Sequence, residues 1–381
     1  MSVETNYLHT VSDSRVLEAA ICKAGRLPSI DNHYSAATLE ESDRRFPRGC
    51  GLNQLILTAA AENGYRGNYE PRVSIEAHRH AFGFLSASGF SSVSLPKILS
   101  NVANKFLMAG WESADTTPLR IAAIRSVTDF KETTTVSLVG DVAFQRLAPD
   151  GSIVHGNLGE TDYTNKADTY ARMLTITRTD VVNDDLGALV NRSKQLGRGA
   201  ALMLNRIFWT KFLNNSAFFK DANNNVSTEP LGTVGLAAAE AVFSAQTDPN
   251  GNPIGVQPSI LLVPTLLRTT SLQLMNSEKI KGSTDEPDAN VWKDRFTPES
   301  SPYMSDSSFT GHSASAYYLL ADPEILPVAE IVALGGRVEP VIETAEAEFS
   351  VLGVSMRGYS DIGVAMAEYR GGVRSTGIEA E

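Results

Sequence analysis

Cysteine is almost missing from this chain: Cys22 and Cys50 are the only two in 381 residues. Two cysteines cannot build a disulfide framework. They fit a protein made in a reducing cytoplasm and carrying two unpaired thiols, with one late disulfide as the alternative. Long hydrophobic runs are also lacking. No apolar stretch reaches the roughly 18 residues that mark a membrane-spanning helix, and the start, MSVETNYLHTVSDSRV, lacks the charged-then-apolar order of a secretion signal. Positive charge is in short supply, with 33 Lys and Arg against 44 Asp and Glu and a net charge of −11. A protein that holds nucleic acid by neutralising phosphates needs a concentrated basic surface. The best basic runs, Asp43-Arg44-Arg45-Phe46-Pro47-Arg48 and Arg192 to Arg206, do not supply one, the second being diluted along a helix.

What is present describes a folded protein: 42% hydrophobic and 20% charged residues. The length exceeds one ordinary core and suggests two structural regions plus extensions. A short helix is expected from Ser14 to Ala24, closed by Gly25 and Pro28. Polar, irregular chain follows at 31–51, a helix at 52–65 closed by Asn63-Gly64, mixed sequence at 66–96, and a helix at Lys97–Ala109. These helices show no evident core of their own, so the first quarter reads as an arm or accessory segment that packs on neighbours. From 119 to 178 the pattern is β-like. Val136, Leu138, Val142 and Phe144 alternate with polar residues, and Pro149-Asp150-Gly151 is a turn in which Pro sets the first dihedral and Gly accepts positive φ. The polar stretch His155–Asp168 then leads to a returning strand at 169–178. A long hairpin standing apart from a sheet is marginal in water, so it must lie on something.

The richest stretch is 168–215. Tyr170, Arg172, Leu174, Ile176 and Arg178 fall on one strand face, with Ala171, Met173, Thr175 and Thr177 on the other. Asn183, Asp184 and Asp185 offer side-chain oxygens and negative charge to a helix start. Leu186, Leu189, Val190, Ser193, Leu196, Ala200, Met203, Leu204, Ile207, Phe208 and Lys211 then keep the spacing of one helical face. Beyond this helix come a turn at Asp221–Val226, a short helix in 231–243 and a Pro/Gly/Asn linker at 247–258. A buried strand at Ser259–Val263 runs into a helix at Thr265–Asn276. Residues 277–313 read as an exposed polar loop, and Tyr317–Ala321 and Ile331–Leu334 as strands, with a turn at Gly335-Gly336. Leu352, Val354 and Met356, then Ile362, Val364 and Met366, read as a terminal hairpin. The fold class is α+β.

Catalytic patterns fail on their own terms. Gly358-Tyr359-Ser360-Asp361-Ile362 and Gly311-His312-Ser313-Ala314-Ser315 each miss the final Gly of a nucleophile elbow. Gly197-Arg198-Gly199 sits inside a helical pattern with Leu at position 202, which fits small residues admitting a neighbouring helix or strand better than a phosphate cradle. His78-Arg79-His80 offers two metal ligands, or three with Glu76 on a strand, where zinc needs three or four. The Asx runs Asp221–Asn225 and Asp248–Asn252 lack the Gly and Glu of a calcium loop. Asp180, Asp184 and Asp185 are explained by helix capping. No catalytic, cofactor or metal residue is assigned.

Several blocks carry a family resemblance: SLPKILSNVANKFLMAGWE (94–112), VTDFKETT (127–134), TYARMLTITRTDVVNDDLGAL (169–189) and GVSMRGYSDIGVAMAEYRGGVRSTG (353–377). In this order they resemble the major capsid proteins of tailed phages, above all the Mu-type prophage head subunits and the capsid part of prohead protease–capsid fusions. The resemblance covers most of the chain. It implies an N-terminal arm with accessory helices (1–118), an extended β-hairpin loop (134–176) and a peripheral domain (119–133, 177–255 and 345–381) with a spine helix at 186–214. An axial α/β domain (256–344) completes it. It implies self-assembly into pentamers and hexamers of an icosahedral shell that encloses double-stranded DNA without reading its sequence. The expected partners are a portal protein, a prohead protease or scaffold, and decoration proteins. The setting is the virion, assembled in the host bacterial cytoplasm, with no membrane and no cofactor.

The assembly residues expected from this resemblance are Pro149, Asp150, Gly151, Lys166, Tyr170 and Arg172. Asn183, Asp184, Asp185, Leu189, Leu196 and Ile207 cap and seat the spine. Some relatives crosslink subunits through a loop lysine, and Lys166 is the one lysine between Lys131 and Lys194. Two other functions remain open: a non-viral nanocompartment shell of the same fold, which lacks the Mu-type blocks, and a soluble α/β enzyme.

Overall fold

The computed structural model describes residues 13–47, 49–67, 74–81, 95–136, 162–177, 186–248, 251–281, 287–344 and 353–377. Its first helices are α1 (Asp13–Ala24), α2 (Ala36–Arg45), α3 (Leu52–Glu62), α4 (Ile75–Ala81), α5 (Leu95–Glu112) and α6 (Thr117–Ile121). Strands β1 (Ala123–Val127), β2 (Thr133–Val136), β3 (Asp162–Asn165) and β4 (Asp168–Thr177) lead to the long helix α7 (Leu186–Leu213). Then come β5 (Val226–Ser227), α8 (Thr233–Ser244), β6 (Pro258–Pro264), α9 (Arg268–Asn276), β7 (Lys279–Lys281), β8 (Pro287–Ala289) and β9 (Thr297–Ser301). The chain closes with β10 (Tyr317–Ala321), β11 (Ala329–Leu334), β12 (Val341–Thr344), β13 (Gly353–Met366) and β14 (Gly372–Ser375). This is a mixture of helix and sheet, the α+β class expected.

Two compact units share the chain. One holds 1–114, 170–201 and 339–360; the other holds 115–169, 202–338 and 361–381. In this division, 202–255 falls with 256–338, and the N-terminal helices fall with the first half of α7.

The N-terminal helices share one core with α7, β12 and β13, where the sequence showed no evident core for them. Val16 to Cys22 of α1 are buried without interruption, so both faces of that helix are covered. An arm laid on a neighbour would bury one stripe. Leu17 and Ile21 pack in one cluster with Leu55 and Ile56 of α3, Ile98, Val102 and Phe106 of α5, Leu189 and Val190 of α7, Ile342 of β12 and Met356 of β13. The one carboxylate in this stretch of α1, Glu18, is paired: Asn101 Nδ2 donates to it at 2.7 Å and Lys105 Nζ lies at 3.4 Å. Such pairing is what lets a charge lie buried. Cys22 and Cys50 are both free and buried, and burial pushes the Cys22 thiol above its ordinary pKa. Helix α2, expected to be irregular chain, is nucleated locally. Ser35 Oγ accepts the Thr38 N–H at its start, and Glu41 pairs with Arg45 at 2.6 Å.

Helices α5 and α7 meet backbone to backbone. A Cβ on Gly197 would stand 1.9 Å from the Leu107 carbonyl oxygen, and one on Gly110 would stand 2.1 Å from that of Lys194. Neither helix tolerates a side chain at its crossing point. Gly199, by contrast, faces open space. The close-approach reading of Gly197 therefore holds, while Gly199 has no such role.

In the other unit the sheet order is β5-β14-β10-β6-β9, with β6 antiparallel to β10 and parallel to β9. Strand β9 falls inside the stretch expected to be an exposed loop; its burial is partial until Ser301, so no apolar alternation betrayed it. Leu236 and Phe243 of α8 and Leu274 and Met275 of α9 cover Leu261, Val263, Tyr317 and Leu319 of the sheet. The second half of α7 is keyed by polar groups. Asn205, fully buried, donates from Nδ2 to the Asp115 carbonyl at 2.7 Å and accepts from Trp209 Nε1 at 3.1 Å. The Asp115 carboxylate accepts the Thr117 N–H and hydroxyl and the Ser301 hydroxyl. Every buried polar group in this relay named here has a partner, which is the condition for such a relay to stabilise.

Strand β13 corrects the terminal hairpin. It is one strand of 14 residues, pairing β12 around Tyr359↔Val341 and β11 around Val364↔Ile331. The residues expected to face each other across a turn are all even-numbered, which is also the parity of one uninterrupted strand face. Gly358 is not a turn residue. Its missing Cβ makes room for Leu196, whose Cδ2 would lie 2.6 Å away.

Replacing Gly197 with Ala is expected to lower stability by about 1–3 kcal/mol through overpacking. Gly199→Ala should raise it by about 0.5–1 kcal/mol by removing backbone freedom from the unfolded chain. Urea denaturation of the two variants checks the contrast; equal effects would mean the crossing is not close-packed.

Candidate assembly surface

The described part of the expected extended loop is its base. Strands β2 and β3 pair antiparallel, from Thr133↔Asn165 to Val136↔Asp162. The returning strand is therefore 162–165, not 169–178. Strand β4, to which the sequence reading gave that role, pairs with β13 instead. The two runs lie close in sequence and both alternate, so only pairing could tell them apart. Residues 137–161, including Pro149, Asp150 and Gly151, lie outside the described residues, as do Asn183, Asp184 and Asp185 at the start of α7.

The ladder is tied down at its root. Tyr163 donates its hydroxyl proton to Glu368 Oε2 at 2.7 Å, and Glu368, only 2% exposed, also takes Arg370 Nη1 at 3.1 Å. Asn165 donates from Nδ2 to the Glu330 carbonyl at 3.2 Å, and its Oδ1 accepts the Lys166 N–H at 2.9 Å. Ala167 packs on Val127 and Val332. A Cβ on Gly363 would stand 1.8 Å from the Lys166 carbonyl oxygen, so the two backbones touch. Thr169 closes the series by donating to Asp361 Oδ1 at 2.6 Å. None of Tyr163, Asn165, Gly363 or Glu368 was singled out from sequence. Their shared role depends on residues some 200 positions apart, and the one local signal was an Asn and a Tyr in an otherwise exposed polar stretch.

Lys166 sits in the turn between β3 and β4. Half exposed, its Nζ lies 3.5 Å from Asp168 Oδ1. Tyr170 and Arg172 lie on β4. Tyr170 is half-buried, while Ala171, Arg172 and Met173 are all exposed. Successive strand residues point to opposite faces, so the Ala171 and Met173 face is uncovered and the other is covered only in part, at Tyr170.

Of the expected spine residues, Leu189 is fully buried, whereas Leu196 and Ile207 are only half-buried. The buried seam runs instead through Ser193, Gly197, Ala201, Asn205 and Trp209, with Phe208 and Phe212 beside it. That is an i+4 row. Reading apolar letters alone passed over Gly197 and Asn205, the two positions where backbone approach and a polar tie fix the packing. Near the strand end of the first unit, Arg357 donates to Glu343 at 2.7 Å and Tyr359 donates to it at 2.8 Å. These bonds hold the Glu343 carboxyl below its ordinary pKa. Its contribution is present at neutral pH and fades as pH falls through the carboxylate range.

Among the described residues no group of three or more His, Cys, Asp or Glu converges as a metal site, and no helix is long and apolar enough to cross a membrane. His78-Arg79-His80 falls on α4, with the His80 ring 5.6 Å from that of Tyr65. A family model described as phage capsid protein matches residues 161–375, more than half of the chain, from β3 through β14. The chain belongs to the phage capsid protein family, and it is a structural shell protein. No curated protein sequence matches it.

Among solved structures, a phage-related protein from Bordetella bronchiseptica is similar at 14% identity and a TM-score of 0.45, over 72% of this chain and 97% of its own. The capsid of the Myoviridae phage XM1 is similar at 10% identity and a TM-score of 0.44, over 69% and 92%. The capsid of the cyanophage P-SCSP1u is similar at 14% identity and a TM-score of 0.43, over 68% and 86%.

Tyr163→Phe removes one hydrogen bond to a buried carboxylate, worth about 1.5–3 kcal/mol. Amide exchange at 133–136 and 162–165 should quicken by a matching factor while α5 is unaffected. Unchanged exchange there would show that the ladder does not depend on Glu368. In α7, Leu189→Asp should prevent folding because it buries an unpaired charge. Ile207→Asp, at a half-buried position, should leave a folded chain by circular dichroism.

Proposed function

We propose that this protein is a major capsid protein of the Mu-type head-subunit kind, assembling into pentamers and hexamers of an icosahedral shell around double-stranded DNA. The single observation that carries the reading is the match of the phage capsid protein family over residues 161–375. The tethered β2–β3 ladder supports it further. Tyr163 and Asn165 tie its base to Glu368 and to the Glu330 backbone, and in this reading that ladder is the base of the element that contacts the next subunit. Residues 256–344 form the part nearest the capsomer axis. The work is mechanical, not catalytic, and the net charge of −11 suits a lining that contains DNA without gripping it. A portal protein, a prohead protease or scaffold, and decoration proteins complete the head, which forms in the bacterial cytoplasm. Lys166, Tyr170 and Arg172 take part in contacts between copies.

Purified protein should run as capsomers or shells on size exclusion and show closed particles by negative-stain microscopy. A stable monomer or small oligomer at every concentration would point to a soluble enzyme instead, and co-purifying cargo enzyme within the particles would point to a nanocompartment. Deleting 138–160 should leave a chain that folds, by circular dichroism, but closes no shell. Normal shells from that deletion would remove the loop from the assembly mechanism. Boiled particles should give a clean monomer band on a denaturing gel; a ladder of higher bands that Lys166→Ala abolishes would assign covalent crosslinking to Lys166.

A further inference from the structure

The sheet of the second unit has two differently furnished ends. Strands β6 and β10 run antiparallel, with Tyr318 opposite Leu262 and Ala321 opposite Pro258. The exit of β10 therefore lies at the entry of β6, and the exit of β6 leads into α9 at the far end. A strand of this length separates the two ends by about 20 Å.

At the β6 exit, Leu266 is 74% exposed and Leu272 is also exposed. Arg268, exposed, shares a helical face with Leu272 at i, i+4. Both border a notch of about 180 Å³ that Arg120 and Glu299 also line. Glu299 already binds Arg120 at 2.6 Å, and among the described residues Arg268 has no carboxylate partner. At the opposite end, Ile325 is 59% exposed. Beside it stands the exposed carboxylate of Glu324, and Asp322, whose Oδ1 accepts the Glu324 N–H at 2.9 Å.

Single exposed aliphatics need no explanation. Here, however, one end pairs apolar surface with an unused cation and the other pairs it with carboxylates, and the strand length keeps them from meeting within one unit. Apolar contact with a rim of opposite charges is the anatomy of an interface. Two different complementary patches on one molecule make a head-to-tail contact, which closes into a ring when the rotation permits.

We propose that Leu266, Arg268 and Leu272 of one copy seat against Asp322, Glu324 and Ile325 of a second copy. The proposal rests on the self-assembly reading and names a contact surface for it. Like-charge repulsion at such a rim is costly, and matched charges fix the register.

The test is a charge swap in the full chain, with the capsomer fraction followed against concentration by analytical ultracentrifugation. Arg268→Glu and Glu324→Arg, both at exposed positions, should each melt like the parent yet need about tenfold more protein to reach half-assembly, a shift of about 1.4 kcal/mol. The double variant, carrying both, should return close to the parent. Single variants that assemble like the parent would overturn the proposal, as would a double variant no better than the worse single. A parent chain that stays monomeric at every concentration would instead overturn the self-assembly reading, and this contact with it.

Discussion

Two glycines set the geometry of the N-terminal unit. Where α5 and α7 cross, Gly110 faces the Lys194 carbonyl and Gly197 faces the Leu107 carbonyl, each too close for a Cβ. Backbone contact at this range brings Cα–H groups against carbonyl oxygens and pulls the flanking side chains into register. Phe106 and Leu107 on one helix and Leu189 and Val190 on the other then belong to one core. Residues 16–22 of α1 are buried without a break, and Leu196 reaches over Gly358 of β13. Widening the crossing by the radius of a methyl group would disturb each of these contacts.

The second unit relies on a different device, polar ties between distant segments. Asn205 binds Asp115, and Asp115 binds Thr117 and Ser301. Tyr163 and Asn165 bind Glu368 and the Glu330 backbone. Such bonds add little net stability each, but leaving a buried partner unmatched is expensive. They therefore select one arrangement among several of similar apolar burial. For a shell subunit that must repeat many times, a single arrangement matters more than a large margin of stability.

The long helix was legible because its apolar residues recur at the helical period, and β6, β10 and β11 because they are short continuous apolar runs. Helix α2 was not, since it has little apolar residue to repeat and is held by a cap and ion pairs. Strand β9 was missed for a similar reason. The candidate assembly residues divide in the same way. Leu189 was found by periodicity, whereas Gly197, Asn205, Tyr163 and Glu368 act through partners remote in sequence.

By itself the sequence determined the α+β class, the 28-residue helix and, through its spaced blocks, the likeness to phage capsid proteins. Tertiary structure decided which strand pairs with β2, that β13 is continuous, and that the N-terminal helices share a core with α7. The reason is common to all three. Periodicity records which face of an element is buried, but not what buries it. Pairing partners, close backbone contacts and buried polar ties are chosen among segments that meet only when the chain has folded.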